Sequence, residues 1–145
     1  MKAILWISDF FESEASFLGG AEAVDAIVID HLRRANDVTT KKSELVTELD
    51  IELASCIFVS NFTKLPLFLR EKIKKKNYFI FEHDHKYLKT RDPSPFVGHL
   101  APTKYIANKD FYKSASVVFA QSRGHEECLR KNLFIDNIHN LGASM

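Results

Sequence analysis

The chain has 145 residues, a formal net charge of +1 and 46% hydrophobic content. That length fits a single domain with a core of its own, and 27% charged with 12% aromatic residues excludes a disordered chain. The near-zero net charge gives no general drive toward nucleic acid or an anionic membrane, and Cys56 and Cys128 supply neither a disulfide framework nor a Cys-x-x-Cys zinc pair.

In chain order, the run Ala3–Ser8 is compact and apolar and predicts a first strand. A loop over Asp9–Leu18 leads to Gly19-Gly20 and then to a helix whose Val24, Ile27, Val28 and Leu32 fall on one face. Asp37–Thr40 reads as a weak strand, and Ser43–Leu53 is ambiguous. Ser55–Ser60 predicts the next strand and Lys64–Lys76 a helix, with Pro66 tolerated in its first turn. Tyr78–Phe81 predicts a strand running into Glu82-His83-Asp84-His85. Lys86–Thr103 holds three of the four prolines and reads as a long functional loop. A short helix over Asn108–Lys113, a strand over Ser116–Gln121, a helix capped by Ser122 and a last strand over Asn137–Leu141 complete the chain.

These strands are buried runs separated by helices, a pattern that predicts an α/β fold: a Rossmann-like three-layer α/β/α domain spanning residues 1–145, with a mostly parallel sheet of five or six strands. Ligands in such folds bind at the carboxyl ends of the strands, which directs attention to Ser8-Asp9, Ser60-Asn61, Glu82–His85, Ser122-Arg123 and Asn140–Gly142. The longest stretch without Asp, Glu, Lys or Arg is the eleven residues from Pro93 to Thr103. A spanning helix needs about 20 apolar residues, so the chain is expected to be soluble and cytoplasmic.

Glu82-His83-Asp84-His85 is the densest cluster of titratable groups. In continued strand geometry His83 and His85 point one way and the two carboxylates the other. A His pair without a third ligand nearby does not predict a metal. A His at the mouth of a parallel sheet suits a hydrogen bond to a sugar or phosphate, or proton transfer; the plain alternative is a solvated strand end. Gly19-Gly20 lets backbone N–H groups approach an anion at a helix start, with Glu22 in the first turn partly opposing one; the plain alternative is a tight turn. Neither the dinucleotide fingerprint nor the P-loop is present. The lysine run Lys72 and Lys74–Lys76 reads best as a solvated helix end, contact with an anionic membrane surface being the alternative. His31, His99, His125 and His139 are isolated and read as structural.

The order of these segments resembles the N-terminal domain of GT-B fold glycosyltransferases of family 4. Gly19-Gly20-Ala21-Glu22 after a first strand is similar to the family's Gly-Gly-x-Glu helix start. Phe81-Glu82-His83-Asp84-His85 resembles its His-Asp-aromatic segment, with His85 in place of the aromatic. Phe111–Ala115 leading into Val117–Ser122 resembles its short helix and Ser-terminated strand, and Asn140-Leu141-Gly142 its turn before the hinge. The resemblance implies a retaining transferase that takes a nucleotide-sugar as donor substrate, without metal or other cofactor. It assigns Gly19 and Gly20 to the donor diphosphate and His83 or His85 to the transferring sugar, with Asp9, Glu22, Glu82, Asp84 and Ser122 around the acceptor cleft. The chain runs only to Ala143-Ser144-Met145, and the donor-binding C-terminal half is absent from it. The expectation is an acceptor-side half, inactive alone, that takes a glycan or lipid acceptor and works with a C-terminal partner domain or by self-association, without nucleic acid, in the cytoplasm or peripherally at the inner membrane face. A non-catalytic α/β binding or regulatory domain is the alternative.

Overall fold

The computed structural model describes residues 2–11 and 20–142. The protein is α/β, a Rossmann-like arrangement of helices around a six-stranded sheet in the order β2-β1-β3-β4-β5-β6. The strands are β1 (Ala3–Ser8), β2 (Asp37–Lys42), β3 (Cys56–Val59), β4 (Tyr78–Phe81), β5 (Val117–Ala120) and β6 (Ile138–Asn140); the helices are α1 (Gly20–Leu32), α2 (Glu48–Leu53), α3 (Leu67–Ile73), α4 (Lys109–Ser114) and α5 (Arg123–Leu133). No described helix is long and apolar enough to cross a membrane. The chain divides into two compact units, residues up to Tyr78 and residues from Phe79 on.

In the first unit β1 lies between β2 and β3, parallel to both, with Ile4 opposite Val38 on one side and Cys56 on the other. A strand covered this way is buried throughout, which is why its sequence does not alternate: Ile4 to Ser8 are all buried. Trp6 stacks on Phe58 across the β1–β3 pair, ring centroids 5.2 Å apart. The ambiguous segment after β2 resolves into a 3₁₀ turn, Ser43–Leu45, and α2. Thr47 caps α2: its hydroxyl accepts from the Asp50 N–H while the Asp50 carboxylate accepts from the Thr47 N–H. α3 starts later than the apolar spacing predicts, because Pro66, with φ −60° and ψ 147°, stands outside it as the cap residue. The face of α1 is also not the predicted one. Asp25 and Ile29 are buried and Ile27 is 71% exposed, since a helix apolar on most sides leaves its orientation to the surroundings.

In the second unit β5 lies between β4 and β6, again parallel to both. Asn137 fixes the approach to β6 by donating to the Tyr112 and Ala115 carbonyls. The long loop is ordered by 3₁₀ turns at Val97–His99 and Thr103–Tyr105 and by a bridge between Leu88 and Ile106. Asn108, at φ 59° in the left-handed region that Asn tolerates, donates from its side chain to the Lys86 carbonyl. Ser122 caps α5 by accepting from the His125 N–H.

Candidate functional site

The chemistry gathers in the second unit, where β4 and β5 end. A cavity of about 490 Å³ there is lined by His85, His99, Ser122, His125, Cys128 and Lys131 among others. β4 delivers His85 and β5 delivers Ser122; parallel strands bring both to one edge although 36 residues lie between them in the chain. α5, started by Ser122, then presents His125 and Cys128 one and two turns on. His99 arrives from the long loop, which Asn132 tethers to α5: its side-chain amide donates to the His99 and Cys128 carbonyls, and its Oδ1 accepts from the Ala101 N–H.

The four residues after β4 part company. Glu82 is fully buried and its Oε1 accepts from the Lys86 ammonium, itself 2% exposed. The same ammonium donates to Asp84 Oδ1 at 3.0 Å, and Arg91 reaches Asp84 from outside at 3.8 Å. Burial pushes the Glu82 carboxyl up, against the opposing pull of Lys86. For Lys86, burial alone would lower its value, but Glu82 and Asp84 outweigh it and hold the ammonium above its ordinary range. With two carboxylates in contact, the charged Lys86 is the state the geometry supports. The Tyr112 hydroxyl faces Glu82 from the core, and burial beside that carboxylate raises it well above the usual phenol value.

His83 is half-buried, tilted against Phe81 with centroids 5.2 Å apart, and its Nδ1 meets the Gln121 side-chain amide. His85 is held differently. Its Nδ1 lies 2.6 Å from the Tyr87 hydroxyl, and its ring packs 4.6 Å, centroid to centroid, from that of His125. Burial lowers the His85 value, with Asp84 and Asp92 opposing. Burial, with His85 and Lys86 adding to it, takes His125 down to about 4. Both imidazoles are therefore neutral at pH 7. The Nε2 atom of His125 is buried and finds no hydrogen-bond partner among the described residues. No group of three or more His, Cys, Asp or Glu side chains among the described residues is disposed to hold a metal ion.

In the first unit Asp9 follows β1 and is almost fully buried. Its carboxylate accepts from the Thr63 N–H and hydroxyl and from the Lys64 N–H. Burial would raise its value, but Thr63, Ser43 and Lys64 more than reverse this and hold it low. Glu22 lines a separate hollow of about 480 Å³ with Asp30, Arg33 and Lys41. This hollow carries neither histidine nor cysteine among its described lining residues. Gly20 opens α1, and Gly19 lies outside the described residues.

Of the residues singled out in the sequence, the structure brings His85 and Ser122 into one cavity, ties Glu82 and Asp84 to Lys86, and gives His83 to Gln121. His99, His125 and Cys128 line the same cavity, which nothing in the sequence signalled for His99 or Cys128. For His125 a signal existed: three residues after an N-cap Ser, a side chain stands in the first turn of the helix, at the carboxyl edge of the sheet. The chain matches no family model and no curated protein.

Proposed function

We propose that the chain is the acceptor-side half of a retaining glycosyltransferase that uses a nucleotide-sugar donor, and that the cavity beyond β4 and β5 is where sugar hydroxyls are held. The observation that carries this reading is the convergence of His85 and Ser122, two residues the family resemblance assigns to the cleft, on one cavity of about 490 Å³ at the carboxyl ends of parallel strands. Neutral imidazoles and a hydroxyl suit uncharged, hydroxyl-rich ligands, because each can exchange hydrogen bonds without burying a net charge. In this reading His85 holds the sugar, and the Glu82–Lys86–Asp84 cluster shapes the surroundings. Positioning of donor and acceptor, which accounts for a large share of such catalysis, requires a second, donor-binding domain.

The test is to incubate the chain with a panel of nucleotide-sugars and glycan or lipid acceptors, measuring bound donor and released nucleotide. Weak donor binding without turnover is expected, at least tenfold weaker for His85→Ala. Turnover should appear when a donor-binding Rossmann-like domain is supplied. Turnover by the chain alone would overturn the half-enzyme reading. Binding with no turnover under any pairing would favour the non-catalytic binding domain.

A further inference from the structure

Tyr87 is buried, and its hydroxyl has two neighbours: His85 Nδ1 at 2.6 Å and the Cys128 thiol. A phenol O–H is a good donor, and the lone pair of a neutral imidazole nitrogen is a far better acceptor than a thiol sulfur. The imidazole nitrogen therefore takes the Tyr87 proton in preference to the sulfur, which keeps only a weaker contact with the hydroxyl. Tyr87 is not available as a phenolate, because burial raises its value, with Cys128 and Glu82 adding to the rise. Nor does His85 gain a second proton easily, since burial lowers it and the His125 ring sits against it.

We propose that Tyr87 is a positioning residue that locks His85 in its Nε2–H tautomer, so that His85 presents a hydrogen-bond donor to the cavity and serves to hold a ligand oxygen rather than to remove a proton. With Nδ1 committed, the nitrogen His85 has left for the cavity it lines is Nε2, which carries a hydrogen and no basic lone pair. Whatever reaches this nitrogen must supply an acceptor oxygen: a sugar hydroxyl, ether or carbonyl fits, and an ammonium or amide N–H is rejected because two donors would meet. The inference rests on the reading of this cavity as the ligand site and is independent of the transfer reaction.

The experiment is a two-bond ¹H–¹⁵N correlation spectrum of the full chain carrying ¹⁵N-labelled histidine, with His85→Gln used to assign the His85 signals. At pH 7 His85 should show one protonated nitrogen, Nε2, and an unprotonated, hydrogen-bonded Nδ1. In Tyr87→Phe the same signals should move toward an average over both tautomers, and the His85 titration midpoint should rise. A purely structural role for Tyr87 would leave the tautomer unchanged. An Nδ1–H tautomer or an imidazolium at pH 7 in the unaltered chain would overturn the proposal, and that reading does not depend on how well the Tyr87→Phe variant folds. The expected tautomer in a chain that binds no nucleotide-sugar would leave this inference standing while the transferase reading failed.

Discussion

Glu82 and Lys86 form a contact that a sequence reader would place on the surface. Both side chains are within 1% of complete burial. Such a pair adds little net stability over an apolar pair, yet removing one partner strands a charge in the core. Lys86→Met should therefore destabilise the protein by about 3–5 kcal/mol, measured by denaturant unfolding. The double variant Glu82→Leu/Lys86→Met should recover most of that loss, and a double variant no more stable than the single one would show that the pair is indispensable. Asp9 makes a comparable commitment in the first unit, where three donors meet one carboxylate. Asp9→Ala leaves those N–H groups without their acceptor and should cost about 1.5–3 kcal/mol in the same measurement. An unchanged midpoint would mean that water replaces the carboxylate at no cost.

At the scale of elements, short helices depend on their caps. α2 has six residues, too few to persist by propensity, and the Thr47–Asp50 box fixes its start. Thr47→Ala should cost about 1 kcal/mol. Ser122 does two things at once, capping α5 and lining the cavity. The two roles separate by substitution: Ser122→Asp keeps a capping oxygen, whereas Ser122→Ala should lose about 1 kcal/mol of stability. If the cavity is the ligand site, both changes should weaken nucleotide-sugar binding, Ser122→Asp without the stability loss. The Thr47 start was hidden in the sequence because Ser43 is itself a plausible cap, whereas the chain spends Ser43–Leu45 on a 3₁₀ turn before Thr47 caps α2. The α3 start was misplaced for a similar reason: Leu65 belongs to the core without belonging to the helix.

At the scale of the whole molecule, the half-buried imidazoles of His85 and His125 shape the dependence of stability on pH. His125 takes up its proton near 6.5 when unfolded and near 4 when folded. Between those values the unfolded chain binds more protons, so the stability associated with a neutral His125 is present above pH 6.5 and is lost as the pH falls toward 4. His85, also lowered, acts in the same direction. A plot of unfolding free energy against pH should fall across this window with a slope approaching one proton from His125 alone, and His125→Asn should flatten it. A variant with the same slope as the parent would place the titration elsewhere.

The alternation of apolar runs and helices determined the α/β class, because a strand buried on both faces must be apolar throughout and the helices between such strands make their connections parallel. The same logic pointed to the residues after each strand, and two of these, His85 and Ser122, line one cavity. What the sequence could not carry was direction. His83 and His85 are two residues apart, yet one meets Gln121 and the other Tyr87 and His125. α1 is apolar on so many sides that only its neighbours decide that Asp25 and Ile29 face inward. Lys86 and Glu82 look like surface charges until the turn after β4 folds them together. His125 joins this cavity because helix capping and sheet order place it there, 40 residues beyond His85. Local pattern determines which elements form; which side chains meet is set by packing among segments distant in the chain, and that was decided only in the tertiary structure.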